Sequence, residues 1–157
     1  MAESHSFNST VQGYLHESGW SEGRLCDVEI AARLLQEKGF VANEHVLTFL
    51  SEFDGLLISF PNPRMPSAVV RYSFGSVMRI DLVSESWVKH WERWSEDILC
   101  PIGTDHRGYG VVLLDASGVF YFGYDANLFE IARNVSEFFD RLISRESWRT
   151  IEVDVPY

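Results

Sequence analysis

Histidine, cysteine and closely spaced glycine are the residues here whose spacing would be diagnostic of chemistry. The five histidines, His5, His16, His45, His90 and His106, never fall at HxxxH or a comparable interval. That is the spacing that sets two imidazoles on one helix face for a metal ion. They read as surface or capping residues, and no metal site is expected. Cys26 and Cys100 stand far apart and form no CxxC pair. The reading is two buried free thiols in a reducing compartment, without a disulfide. Gly103, Gly108 and Gly110 lead into an apolar strand, whereas glycines that cradle a phosphate lead into a helix N-terminus, where free N–H groups meet the anion. No nucleotide site is expected on that order. There is no GxSxG, and neither cysteine has a histidine marked as its partner by local sequence, so no nucleophile can be nominated. With 23 Asp and Glu residues, any choice of a catalytic carboxylate pair is arbitrary. The expectation is a protein that is not an enzyme and takes no cofactor, because no group of residues meets the demands of mutual geometry and water exclusion.

The background to these residues is an ordinary core-forming composition. A chain of 157 residues, 46% hydrophobic and 14% aromatic, buries roughly 68–70% of its unfolded surface and is excluded from the disordered class. One domain over residues 1–157 is expected, with 1–8 and 149–157 as loosely ordered tails. Thirteen Lys and Arg against 23 Asp and Glu give a formal net charge of −10. That argues against binding nucleic acid directly, which needs clustered cations, and favours basic partners. The start, MAESHSFNSTVQ, has neither the basic opening nor the apolar stretch of a signal peptide. No apolar run approaches the ~18 residues of a membrane span, so no membrane association and a cytoplasmic location are expected.

The elements follow from periodicity and caps. Ser9 or Thr10 opens a helix carrying Val11, Tyr14 and Leu15, and Gly19 closes it. A second helix runs from Asp27, with Val28, Ala31 and Leu35 on one face and Gly39 after its end. Asn43 caps a third, with Val46, Phe49, Leu50 and Phe53 on one side and Gly55 as the stop. Residues 56–60 read as a strand, and Pro61, Pro63 and Pro66 as a surface loop. Over 69–83 the pattern alternates around Gly75-Ser76, which reads either as a hairpin turn or as a loop with a short helical turn at 76–81. Ser84 or Ser86 starts a helix in which Trp87, Trp91, Trp94 and Ile98 make one stripe, read as core packing in preference to a ligand-stacking platform, with Glu85 and Lys89 paired opposite.

A Pro-Ile-Gly turn at 101–103 follows, then strands at 110–114 and 119–124 joined across Asp115-Ala116-Ser117-Gly118. Asn127-Leu-Phe-Glu130 has the form of a capping box. The reading from it is one continuous helix through Leu128, Ile131, Ala132, Val135, Phe138, Phe139 and Leu142. Ile151, Val153 and Val155 alternate at the end, either as an edge strand or as a loosely attached tail. The class is α+β, an antiparallel sheet flanked by helices.

Four stretches carry a family resemblance: SGWSEGRLCDV at 18–28, LLQEKGFVANEHVLTFLSEFDGLLISFPNPR at 34–64, SWVKHWERWSEDILCPIG at 86–103 and VVLLDASGVFYFGYDANLFEIARNVSEFFDRLI at 111–143. In order and spacing the chain resembles the SUKH immunity-protein superfamily, and is most similar to the third SUKH family of bacteria. It departs from its relatives in having Asp54-Gly55 where two glycines are usual, and Cys100 before the Pro-Ile-Gly.

The resemblance implies a SUKH-like single domain in the cytoplasm that neutralises a cognate polymorphic toxin by binding it. In this superfamily the toxins are often nucleases or deaminases. A general interaction or regulatory scaffold of the same superfamily is the alternative, with a small hydrolase behind it. A toxin that works on nucleic acid presents cations to phosphates, so a partner of net charge −10 is steered to that surface. The anchors nominated for such an interface are Asp105, His106, Arg107 and Tyr109 before one strand, with Tyr124 and Asp125 after the next. They form an acidic and aromatic rim; the alternative is that they are ordinary solvated loop residues.

Overall fold

The structure is a computed structural model and describes residues 5–151. Its centre is one seven-stranded sheet in which every neighbour is antiparallel and strand order follows chain order: β1 (Leu57–Asn62), β2 (Met65–Phe74), β3 (Leu99–Asp105), β4 (Val111–Asp115), β5 (Phe120–Tyr124), β6 (Asn127–Ala132) and β7 (Arg149–Thr150). Helices α1 (Ser9–Glu17), α2 (Glu29–Glu37) and α3 (Glu44–Phe53) precede it. Helix α4 (Glu85–Ser95) joins β2 to β3, and α5 (Val135–Ser144) joins β6 to β7. This is the expected α+β class.

Both faces of the sheet are covered. On β4, Val112 and Leu114 enter the larger core with residues of α1, α2, α3 and α5, while Val111 and Leu113 enter a smaller one with Val88 and Trp91 of α4. Side chains alternate across a strand, so a strand buried on both sides must be apolar throughout, which is why 111–114 reads as an unbroken run. The larger core is largely aromatic: Phe49 packs edge-on to Phe74, Phe120 and Phe138, and Phe120 stacks on Phe138 at 4.4 Å.

Local chemistry placed α3 as expected: the Asn43 side chain accepts from the Val46 N–H, and Val46, Phe49, Leu50 and Phe53 are buried. The cap of α1 is Asn8, one residue before Ser9, and α2 begins at Glu29, whose N–H bonds Asp27. Phe7 meets Trp20 and Phe139 edge-on. Cys26 is half-buried and Cys100 buried, both as free thiols.

Several expectations are corrected. The helix read from Asn127 is two elements. Residues 127–132 are β6, paired with β5, and α5 starts only at Val135. The sequence Asn-x-x-Glu occurs at 127–130 and again at 134–137, and it is Asn134 that accepts from the Glu137 N–H as N-cap. The first copy satisfies its backbone on β5, a long-range option that helical periodicity does not register. Pro61 and Pro66 lie within strands, Pro61 beside a register irregularity of edge strand β1, so the proline-rich loop shrinks to a hairpin tip at 63–64. An edge position and a bulge are where proline's missing N–H is tolerated.

Of the two readings left open at Gly75-Ser76 the hairpin fails and the loop with short helical turns holds: β2 pairs with β1 and β3, and 75–77 and 80–82 are 3₁₀ turns. Asp54 holds the first of these, accepting from the Ser76 N–H and hydroxyl. Pro101-Ile102-Gly103 is no turn but the middle of β3, with an irregularity between Pro101 and Gly103. Of the tryptophan stripe, Trp91 is buried, Trp87 is 37% exposed, and Ile98 is 59% exposed, past a helix end formed by Glu96 at φ 61°. Glu85 lies 3.9 Å from Lys38, not against Lys89. Of the tail alternation, Ile151 donates to the Leu128 carbonyl, and Val153 and Val155 lie outside the described residues.

Candidate functional site

The meander brings three hairpin tips to one end of the sheet: 63–64, 106–110 and 125–126. All six nominated residues stand there. Asp105 closes β3 opposite Tyr72 of β2, and its carboxylate is spent on its own loop. Oδ1 accepts the N–H groups of Arg107 and Tyr109, and Oδ2 that of Gly110, each at 3.1 Å. A side chain that folds three amides of one loop inward holds the 106–110 loop in one shape. His106 and Arg107 point outward, Tyr109 is 65% and Tyr124 43% exposed. Asp125 sits at φ 47° in the β5–β6 turn, and its carbonyl accepts from Trp91 Nε1 at 3.0 Å.

Among the described residues, Asp105 and Asp125 share this end with arginines that the expected rim did not include. Arg33, Lys38, Arg79, Arg133, Arg141 and Arg149 are held in ion pairs. Arg24 donates to the Glu52 and Asp54 carbonyls, and Arg93 meets the His90 ring. The remaining cations, among the described residues, are Arg64, Arg71, Arg107, Arg145 and Lys89, and all but Lys89 stand at or beside the hairpin tips. An acidic chain therefore concentrates its unpaired guanidinium groups on one surface, together with exposed Tyr109, Tyr124 and Met65.

Below the tips, on the face shared with α5, lies a cleft of about 620 Å³ lined by Arg64, Asp105, Phe122, Tyr124, Arg145 and Trp148 among others. Trp148 packs on Phe122 and Phe129, is pinned by its Nε1 donating to the Arg141 carbonyl at 2.7 Å, and carries the Arg145 guanidinium 5.5 Å from its ring centroid. Beside it Tyr72 is fully buried, and neither its hydroxyl nor Arg145 Nε has a hydrogen-bond partner. Burial pushes the Tyr72 hydroxyl pKa up, the Arg145 guanidinium pulls the other way, and the Asp105 charge adds to the rise. Asp105 and Tyr124 are thus brought together at this cleft, while His106, Arg107, Tyr109 and Asp125 stand on the tips and do not line it. Sequence reasoning missed Arg64, Tyr72, Arg145 and Trp148. They come from β1–β2, β2 and the end of α5, and no local pattern links them.

A second cleft of about 360 Å³, between α3 and the β4–β5 turn, is lined by His5, His45, Glu44 and Glu52 among others. It has the residue types of acid–base chemistry, but both oxygens of buried Glu52 are taken, by His5 Nε2 at 3.1 Å and Trp20 Nε1 at 3.2 Å.

A helix-wrapped meander whose distinctive surface is a set of shaped loop tips defines a class, the α+β domain that presents loops from a rigid sheet. Within that class, a family model described as SUKH-3 immunity protein matches residues 7–145, and the chain belongs to that family. No curated protein and no solved structure matches the chain. Family membership supports an immunity-protein role and implies a cognate toxin as partner. Among the described residues no helix is long and apolar enough to cross a membrane.

Proposed function

We propose that this chain silences a cognate toxin by stoichiometric binding through the hairpin end of its sheet, without turnover and without binding nucleic acid itself. The observation that carries the reading is the gathering of unpaired arginines around the hairpin end, where exposed Tyr109 and Tyr124 stand on or beside loops held by Asp105 and by the Trp91 to Asp125 bond. Tyr and Arg dominate interface energetics because each offers a large, semi-rigid contact with a polar end, and loops fixed before binding lose little entropy on docking.

The toxin we infer is a nuclease or deaminase acting in the cytoplasm. A cationic nucleic-acid-binding surface is drawn by the net charge of −10, while the arginine-bearing tips seat against an acidic element of the same toxin. Keeping such a toxin silent calls for nanomolar affinity, about −12 kcal/mol, within reach of an interface of standard size. The test is expression of the toxin domain encoded beside this chain, with and without it. Rescue of growth and co-purification of a complex are expected; growth arrest that persists with no complex formed would refute the pairing.

A further inference from the structure

Two polar groups that make no well-formed hydrogen bond meet beside the cleft below the hairpin tips, where the Arg145 guanidinium acts on the Tyr72 hydroxyl, and burying such groups without good hydrogen bonds is costly. One is the Tyr72 hydroxyl, on a side chain with no exposed surface, and the other is Arg145 Nε. Arg145 makes no ion pair among the described residues, and its side chain is held against Trp148 instead. Arg64 reaches the same cleft from the β1–β2 tip. The one carboxylate in the lining, Asp105, already accepts three backbone N–H groups. Two guanidinium groups against one engaged carboxylate leave the lining with an excess of positive charge and of donors. Tyr124, Asn127, Ser147 and Thr150 add neutral polar groups around it.

The ligand that such a set recognises is a carboxylate. A guanidinium presents parallel N–H groups that match the two oxygens of a carboxylate, and charge-assisted pairs of this kind are the strong ones. The aromatic surfaces of Phe122, Phe129 and Trp148 suit the aliphatic stem behind a carboxylate better than a fully hydrated inorganic anion. Resting on the reading of the hairpin end as the partner-facing surface, we propose that this cleft is a carboxylate-binding site that receives a Glu or Asp side chain of the bound toxin, with Arg145 and Arg64 as its ligands.

The test needs no toxin. The full chain, labelled with ¹⁵N, is titrated with N-acetylglutamate α-amide, which carries one carboxylate, and with its uncharged glutamine counterpart. Saturable shifts at Arg145 Nε–H, the Trp148 indole N–H and Gly110 are expected with the first ligand and not with the second. Arg145→Gln is expected to weaken the titration about tenfold or more, the loss of one charge-assisted pair. Arg64→Gln, at an exposed tip, gives a second variant that does not endanger the fold, with a smaller loss in the same direction.

Absence of shifts, equal shifts with the uncharged ligand, or an unchanged titration in both variants would overturn the proposal. So would tighter binding of inorganic phosphate, which would make the cleft a phosphate site. The chain's own Glu152 and Asp154 follow β7 in sequence, so Glu152→Gln with Asp154→Gln is the remaining arm. A tighter titration in that variant would assign the site to the chain's own carboxylates and overturn the partner as source. The broader reading is tested separately: a carboxylate titration that succeeds while Arg145→Gln still protects fully against the toxin leaves the site and removes its role in docking.

Discussion

The Trp91 indole of α4 lies flat on Gly123 of β5: a Cβ built at Gly123 would come within 2.7 Å of three of its ring atoms. The same ring donates through Nε1 to the Asp125 carbonyl two residues on. One side chain therefore closes the smaller core and fixes the β5–β6 tip, which joins packing to the presentation of Tyr124.

Gly123→Ala is accordingly expected to destabilise the fold by about 1–3 kcal/mol, the usual cost of overpacking against a ring that has no room to move. Urea unfolding followed by tryptophan fluorescence measures it. A variant as stable as the parent would mean that the α4 interface gives way freely.

Asn134→Ala is expected to cost about 1 kcal/mol, the loss of an N-cap that accepts the Glu137 N–H at 2.9 Å. Asn127→Ala, at the other copy of the same sequence pattern, caps no helix, and its side chain makes only a 3.4 Å bond to the Tyr124 carbonyl. Unfolding midpoints for the two variants should therefore separate. The reverse order would place the helix start at Asn127 after all.

Alkaline stability isolates Tyr121. Burial first, then the charges of Asp115 and Glu130, push its pKa from the ordinary 10.0 to about 12. A raised folded pKa means that the protonated form is favoured in the native state, so this contribution is whole below pH 10 and is lost as pH climbs toward 12. The Cys100 thiol, pushed to about 12 by burial, begins its own loss nearer its ordinary value of 9.0. The comparison that isolates the tyrosine is Tyr121→Phe, whose unfolding free energy should fall less steeply above pH 10 than that of the parent. Equal slopes would contradict the assignment.

Tyr109→Ala and Tyr124→Ala remove side chains that are 65% and 43% exposed, so both are expected to leave unfolding midpoints nearly unchanged. Each is expected to weaken toxin binding by about 2 kcal/mol. Asp105→Ala should also weaken it, but by loosening its loop, seen as faster amide exchange at Tyr109 and Gly110. Calorimetry with the cognate toxin distinguishes these outcomes. Undiminished affinity in both tyrosine variants would move the interface away from the hairpin end.

Part of what the chain states locally holds in the fold: Asn43 as a cap, the buried face of α3, the turn at 115–118, and an α+β class consistent with the SUKH-3 immunity family model over residues 7–145. These depend on neighbours within one or two turns, where spacing and capping chemistry decide the outcome. Tertiary structure decided the rest. Asn127–Ala132 is a strand because β5 offers its backbone a partner, an energy absent from any window of helical periodicity. The unpaired arginines among the described residues gather at the hairpin end because most other cations are paired with residues elsewhere, and the Asp105 carboxylate is turned onto its own loop. Composition fixes the sum of the charges at −10; only the tertiary fold, by carrying Arg64 and Arg145 from distant segments to one cleft, decides where the positive ones stand alone.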